Sequence, residues 1–378
     1  MRGRRRGHPV APPPLQHRSR NQSRSCAVSV ARRSLGVPRS GRESMSNPEK
    51  QMRRVGDWVE VRPLTEIMAT LDANGRLDGM PFMPEMVRYC GQRFQIVKSA
   101  HKTCDPTGQG NLRRLSDAVH LPTRCDGSGH DGCEARCLLF WKTAWLKCAD
   151  GPGGAEAISP EPEPRDLERL CADTRYASND DSAVRYRCQA TEIVNATTAL
   201  GSRDLRQYVA DLASGNVAPS RFVSQFTIAV KDLVASRAGR ILSRMRRPQR
   251  AGSTAAPEPS QAAETKTLEP GEFVQVRPVR DIARTLDGNG KNRGLSYERE
   301  MERYSGATFR VGYRPRQIID ERTGRKIRLG NDCIVLEGLV CAGLDNRGRL
   351  FCPRSSYLYW REAWLRRAGD EHHTPASN

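Results

Sequence analysis

Seven side chains that bind soft and borderline metals fall within 37 residues: His101, Cys104, His120, Cys125, His130, Cys133 and Cys137. Four thiols and three imidazoles suit zinc, an ion without d-electron preference that accepts tetrahedral mixtures of sulfur and nitrogen. The gaps between the four cysteines are twenty, seven and three residues. Zinc fingers and ribbons usually open instead on cysteines two residues apart. The glycines of CDGSGHDGC (125–133) compensate, because they let the chain turn tightly around an ion and aim successive donors inward. The expected ligand set is Cys104, Cys125, Cys133 and Cys137, with His130 able to replace any one of them. Four thiolates also suffice for an iron–sulfur cluster, which is the rival occupant. A loop held in this way would present His101, His120, Asp126 and Asp131.

Nucleophilic catalysis and calcium binding would draw on the same region. A nucleophilic cysteine needs a neighbouring base or cation to form its thiolate. Cys104, Cys125 and Cys133 lie close in sequence to His101 or His130, yet no thiol-enzyme signature orders them. A metal- or thiol-dependent enzyme is therefore an alternative reading, and the balance leans away from catalysis. Asp72, Asn74 and Asp78 invite calcium, but an EF-hand register starting at Asp72 puts Leu77 at position six and Met83 at position twelve. Those positions demand glycine and a carboxylate, so the segment is read as a turn.

The elements that must position the cluster come from an internal repeat. Residues 56–94 align with 271–309 without a gap, with 18 identities in 39 positions. The shared frame includes Val59, Val61, Arg62, Pro63, Thr70, Leu71, Asp72, Asn74, Gly75, Glu85, Met86, Tyr89 and Phe94. The copies meet again where LLFWKTAWLK (138–147) matches YLYWREAWLR (357–366). In each, WVEVRP or FVQVRP alternates apolar with polar residues, the period of a half-buried strand. A short helix follows, then an Asn-Gly turn and a glycine-entered second strand. The second copy is the internal control for the metal cluster. Cys341 and Cys352 align with Cys125 and Cys133, while Cys137 becomes Ser356 and His130 has no counterpart. Copy two is expected to be metal-free.

The strand WVEVR and the paired segments PFMPEMVRYCGQRFQIV and SYEREMERYSGATFRVG resemble the SH3-like barrel group, to which KOW modules and the β-subunit domain of nitrile hydratases belong. Together with HKTCD and RCDGSGHDGCEARCLLFWKTAWL, they are also similar to a bacterial family that brings no reaction with it. The resemblance implies small, strongly bent barrels with few exposed edges.

The expected fold class is α+β: two duplicated bent β-barrel modules (55–149 and 271–369) flanking an all-α insert at 165–245. The linkers are 150–164 and 246–270, both rich in Pro, Gly, Ala and Glu, and 370–378 is a tail. In the insert, Leu205, Tyr208, Val209 and Leu212 recur at helical spacing and are expected to face a core. Residues 1–44 hold eleven Arg and one Glu, more than half of the formal net charge of +19. That segment is read as a disordered basic leader or a mis-called start before Met45. The remaining basic signal is Tyr313, Arg314, Arg316, Arg322, Arg325, Lys326 and Arg328, a candidate nucleic-acid contact. No run of 18 apolar residues occurs, so no membrane span is expected and the chain is read as cytoplasmic. Twelve cysteines without a secretory signal fit reduced thiols or metal ligands. The functional expectation is a non-enzymatic, metal-stapled binding or assembly module with a protein partner; a nucleic-acid-binding accessory is the alternative.

Overall fold

The computed structural model describes residues 54–105, 112–153, 163–177, 183–201, 204–228, 267–330, 332–344 and 350–369. The leader at 1–44, most of both linkers and the tail at 370–378 lie outside the described residues. The chain is mixed α+β, built of short antiparallel sheets and short helices. Among the described residues no helix is long and apolar enough to cross a membrane.

Two compact units emerge. The first takes residues 1–216 together with 317–327 and 352–356. Its strand Trp58–Val61 pairs antiparallel with Arg93–Gln95 and Leu146–Cys148, so that Val59 faces Phe94 on one side and Cys148 on the other. Alternation is what makes this strand: Val59 and Val61 are fully buried while Trp58 and Glu60 are only partly covered. The helix Leu64–Met68 then packs Leu64 and Ile67 onto the same core. Gly75 takes a positive φ of 69°, and Asp72 Oδ1 accepts the N–H groups of Asn74 (2.8 Å) and Arg76 (3.0 Å). Asp72 thus serves its own turn.

A second sheet orders Lys98–Ser99, Ala118–Arg124 and Leu138–Lys142, with a register shift between His120 and Arg124. Trp141 on the strand Leu138–Lys142 and Trp145 just after it are fully buried, with Phe82 edge-on to both. Their indole N–H groups donate to Thr123 (2.9 Å) and Thr70 (3.1 Å), which removes the cost of burying them unpaired.

The insert departs from the all-α expectation. Helices Pro164–Asp173 and Arg206–Ala213 are present, but so is a hairpin of Arg175–Ala177 with Val184–Tyr186. A further strand, Thr198–Leu200, joins Leu112–Arg114 and Lys102–Cys104 in a three-stranded sheet. These strands are three residues long, below the length at which a period of two can be read. The helical stripe is also turned around: Leu205 (65%), Val209 (66%) and Leu212 (38%) are exposed, while Gln207 and Asp211 are buried. Asp211 is fully buried because its carboxylate accepts Lys102 Nζ at 2.6 Å, and that ion pair orients the helix against its apolar stripe.

The second unit takes residues 217–316, 328–351 and 357–378. Phe273–Val276 lies between Thr308–Tyr313 and Leu365–Arg367; Thr308–Tyr313 continues onto Cys333–Val340, which pairs with Tyr357–Arg361. The resulting five-stranded antiparallel sheet is a half-barrel. Trp360 and Trp364 are fully buried against it, and Trp364 Nε1 donates to Thr285 at 3.0 Å.

Candidate metal centre

The centre is assembled in the first unit from two segments. Glu85 sits on the short 3-10 helix Pro84–Tyr89, entered through Pro84. Cys125 follows the strand Ala118–Arg124, and His130 ends the short turn Ser128–His130. Gly127 has a φ of 78°, and a Cβ there would lie 2.2 Å from the Cys133 carbonyl oxygen. A Cβ on Gly129 would lie 2.7 Å from Glu85 Oε2. The two glycines therefore let the loop close on the glutamate. An ion pair of Arg88 with Asp126 ties the segments together, and the Thr174 hydroxyl donates to the Gly129 carbonyl at 2.6 Å.

Glu85, Cys125 and His130 bring a carboxylate oxygen, a thiol and an imidazole nitrogen within 4.8 Å of one another, a buried cluster that could hold a metal ion. The Cys125 thiol donates to Glu85 Oε1 at 3.1 Å and lies 3.5 Å from His130 Nε2. His130 Nδ1 is 4.0 Å from Glu85 Oε1. All three residues are buried, yet Glu85 Oε2 and His130 Nδ1 have no hydrogen-bond partner. Nearly every buried polar atom in a folded protein is satisfied, so two orphans beside one thiol suit a site that could hold an ion. Burial, reinforced by the Glu85 charge, pushes the Cys125 thiol far up. Burial pushes the His130 imidazole down, against the pull of Glu85 and Asp126.

These shifts distinguish two chemistries. A Cys–His–Glu array superficially fits a nucleophile with its base and orienting acid. The thiol, however, is disfavoured as thiolate by the very carboxylate beside it, and reactive cysteines need the opposite setting. A divalent cation reverses the balance, because its charge compensates both thiolate and carboxylate and a neutral imidazole is the form that ligates.

The expected four-cysteine set is distributed over two places. Cys133 and Cys137 line, with Cys125, His130 and Glu85, a cavity of about 30 Å³ that also touches Cys188, Glu321 and Arg354. Cys133 Sγ accepts the Ile319 N–H at 3.3 Å, and burial pushes Cys137 and Cys188 each up to about 12. Cys104 lies apart, packed beside Cys352 with Leu112 and Leu200. Neither His101 nor His120 belongs to the centre. His101 meets Ser99 Oγ (3.3 Å) and Asp211 Oδ1 (3.2 Å). His120 is a core residue: fully buried, its Nδ1 bonded to the Leu139 carbonyl at 2.8 Å, its pKa pushed down to about 4 chiefly by burial. Asp131 is engaged by Lys326 and by the Tyr186 hydroxyl at 3.1 Å.

Two members of the cavity wall were not read from sequence as ligands. Glu85 was visible as a carboxylate kept in both copies, a signal attributed to the scaffold. Cys188 lies beyond the first linker, and no spacing rule connects it to 125–137. Of the basic residues considered for nucleic acid, Arg314 is ion-paired with Glu362 and Lys326 with Asp131. Tyr313 packs edge-on against Tyr357, whereas Arg316, Arg322, Arg325 and Arg328 are exposed. Every described cysteine is a reduced thiol. No family model, curated protein or solved structure matches this chain.

Proposed function

We propose that this chain is a non-enzymatic, metal-stapled binding or assembly module in which Glu85, Cys125 and His130 hold a zinc ion. The observation that carries the reading is the pair of buried, partnerless atoms, Glu85 Oε2 and His130 Nδ1, beside the Cys125 thiol. Zinc accepts this mixture of oxygen, nitrogen and sulfur, whereas cluster iron is held chiefly by thiolates. Cys133, Cys137 or Cys188, on the same cavity wall, would complete a closed tetrahedral site of the structural kind.

The scaffold is read as two copies of one SH3-like bent barrel. Val59 and Val274, matched in sequence, each pair with a second strand and a closing strand. Thr70 and Thr285, also matched, each accept an indole N–H from the closing tryptophan pair. In this reading the stapled loop presents a rigid surface to a protein partner, and the second copy carries no metal.

Elemental analysis of the full chain tests the proposal. About one zinc ion per chain is expected, kept in Cys104→Ser and lost in Cys125→Ser and His130→Gln. Stoichiometric zinc surviving Cys125→Ser, or a wild-type chain that binds no metal after zinc reconstitution, would overturn it. Iron with visible absorption would replace zinc by a cluster.

A further inference from the structure

Outside the metal centre a second thiol site is built from Cys104, Cys352 and Arg354. We propose that Cys104 and Cys352 form a peroxide-responsive dithiol that closes reversibly to a disulfide, with Cys104 as the attacking sulfur and Arg354 as its positioning residue. The inference does not rest on the metal reading.

Three observations carry it. Cys104 packs against Cys352 in a small apolar cluster with Leu112 and Leu200, close enough for the Cys352 thiol to act on the Cys104 sulfur as a hydrogen-bond donor. Cys104 ends the strand Lys102–Cys104 and is half-buried, while Cys352 is 6% exposed; a small oxidant therefore meets Cys104 first. Finally, a cation is fixed beside the attacking sulfur. Arg354 is 5% exposed, holds Glu321 Oε1 at 2.5 Å through Nη2, and places Nη1 3.8 Å from Cys104 Sγ. Its Nε is buried without a partner.

The electrostatics agree with this geometry. The hydrogen bond from Cys352, with help from the Arg354 guanidinium, holds the Cys104 thiol down at about 5 against the effect of burial. Cys90, Cys125, Cys133, Cys137, Cys188 and Cys333 are all shifted upward by burial. Of these seven sulfurs Cys104 is the one whose surroundings favour the thiolate without a metal, which is the form that attacks an oxidant.

Hydrogen peroxide is the co-reactant. The Cys104 thiolate attacks one peroxide oxygen, the O–O bond breaks, and hydroxide leaves to take up a proton as water; Cys104 becomes a sulfenic acid. The Cys352 sulfur then gives up its proton and attacks the sulfenic sulfur, forming the S–S bond and releasing a second water. Two thiols lose two electrons, and one peroxide gains them.

The test exposes the full chain, reduced and zinc-loaded, to hydrogen peroxide, blocks residual thiols with N-ethylmaleimide and maps the peptides by mass spectrometry. A Cys104–Cys352 crosslink, about 2 Da lighter than its two thiol peptides and reversed by dithiothreitol, is expected as the first product. In Cys352→Ser, dimedone should trap a sulfenic acid on Cys104. Alkylation of Cys104 should change by less than about twofold between pH 6 and pH 8, where an ordinary thiol gains about a hundredfold. Arg354→Lys should keep the crosslink, and Arg354→Gln should make alkylation of Cys104 rise more steeply with pH than in the wild type. First crosslinks among Cys125, Cys133, Cys137 and Cys188 with Cys104 left alkylatable would overturn the proposal. So would an alkylation rate at Cys104 that climbs steeply with pH in the wild type.

Discussion

Replacing Glu85 by glutamine separates ligation from the residue's other contacts, because the side chain keeps its length and the oxygen that accepts the Cys125 thiol. Without metal the wild-type carboxylate is a liability. It is 4% exposed and Oε2 has no partner, and an unsatisfied buried polar atom costs about 1–3 kcal/mol. The glutamine keeps the Oε1 acceptor and puts an uncharged NH2 in place of the partnerless Oε2, which is less costly to bury than a carboxylate. The metal-free variant should therefore match the metal-free wild type or exceed it by about 1 kcal/mol, a rise of up to about 4 °C for a unit of this size. Zinc reverses the order. At a free concentration one hundred times Kd, a site present only in the folded state adds about 2.7 kcal/mol. That raises the wild-type melting temperature by about 5–10 °C, while the variant should gain less than about 1 °C. Differential scanning fluorimetry of both chains, in chelator and in buffered zinc, reads the inversion directly. An equal zinc-dependent rise in the two chains would remove Glu85 from the ligand set. A variant more than about 2 kcal/mol less stable in chelator would mean that the carboxylate is a satisfied structural acceptor after all.

Gly127→Ala should destabilise the first unit by about 2–5 kcal/mol, since its φ of 78° is strained for alanine and the methyl would meet the Cys133 carbonyl at 2.2 Å; urea denaturation checks this, and a loss under about 0.5 kcal/mol would refute the loop geometry. His120 supplies a pH signature. Its folded pKa of about 4 lies below the ordinary value of 6.5, so the unfolded chain binds the extra proton between those values. The associated stability is complete above about pH 6.5 and is lost as pH falls toward 4, by about 3 kcal/mol in all. His120→Asn, which keeps a donor for the Leu139 carbonyl, should flatten that slope in urea midpoints measured from pH 4 to 7. The fully buried Lys102–Asp211 pair, 2.6 Å apart, predicts a loss of about 3–5 kcal/mol for Asp211→Asn alone, and a double variant Lys102→Met/Asp211→Leu that loses much less than the sum of its two singles.

Patterns with a short period were legible in the sequence. WVEVRP buries Val59 and Val61 as its alternation requires, and the four tryptophans of the closing segments are all buried. The three glycines of 125–133 signalled a tight loop, and two of them now have a specific steric reason. What escaped depends on contacts that no local period encodes. The stripe Leu205, Val209 and Leu212 pointed to a core, but a buried Asp211 partnered by Lys102 and His101 turns the other face inward. An ion pair between residues 109 apart leaves no trace in hydrophobic periodicity. Cys104 was grouped with Cys125 by proximity in sequence, while its neighbour in space is Cys352.

Why Glu85 could serve an ion while its sequence match, Glu300, does not follows from comparing the two. Both are buried on the same short turn of helix. Glu300 spends its two oxygens on the loop above it, accepting the N–H groups of Ala342 at 3.1 Å and Leu344 at 3.2 Å. That carboxylate is a loop clamp, with both oxygens engaged by backbone N–H groups. The matched loop positions of the first copy are Asp126 and Ser128, because Cys341 aligns with Cys125. Here the Ser128 N–H turns to Asp126 Oδ1 at 3.0 Å, and the Ser128 hydroxyl joins it at 2.8 Å. An aspartate in place of an alanine thus takes a backbone donor that the glutamate would otherwise receive, and Arg88 fixes that aspartate from the glutamate's own helix. Glu85 is left with one oxygen on the Cys125 thiol and one without a partner. A buried carboxylate deprived of amides is costly unless positive charge replaces them, and His130, held neutral by burial, does not supply it. The same substitution that frees the glutamate therefore leaves a place that a cation could fill, on the loop that also brings the thiol and imidazole beside it.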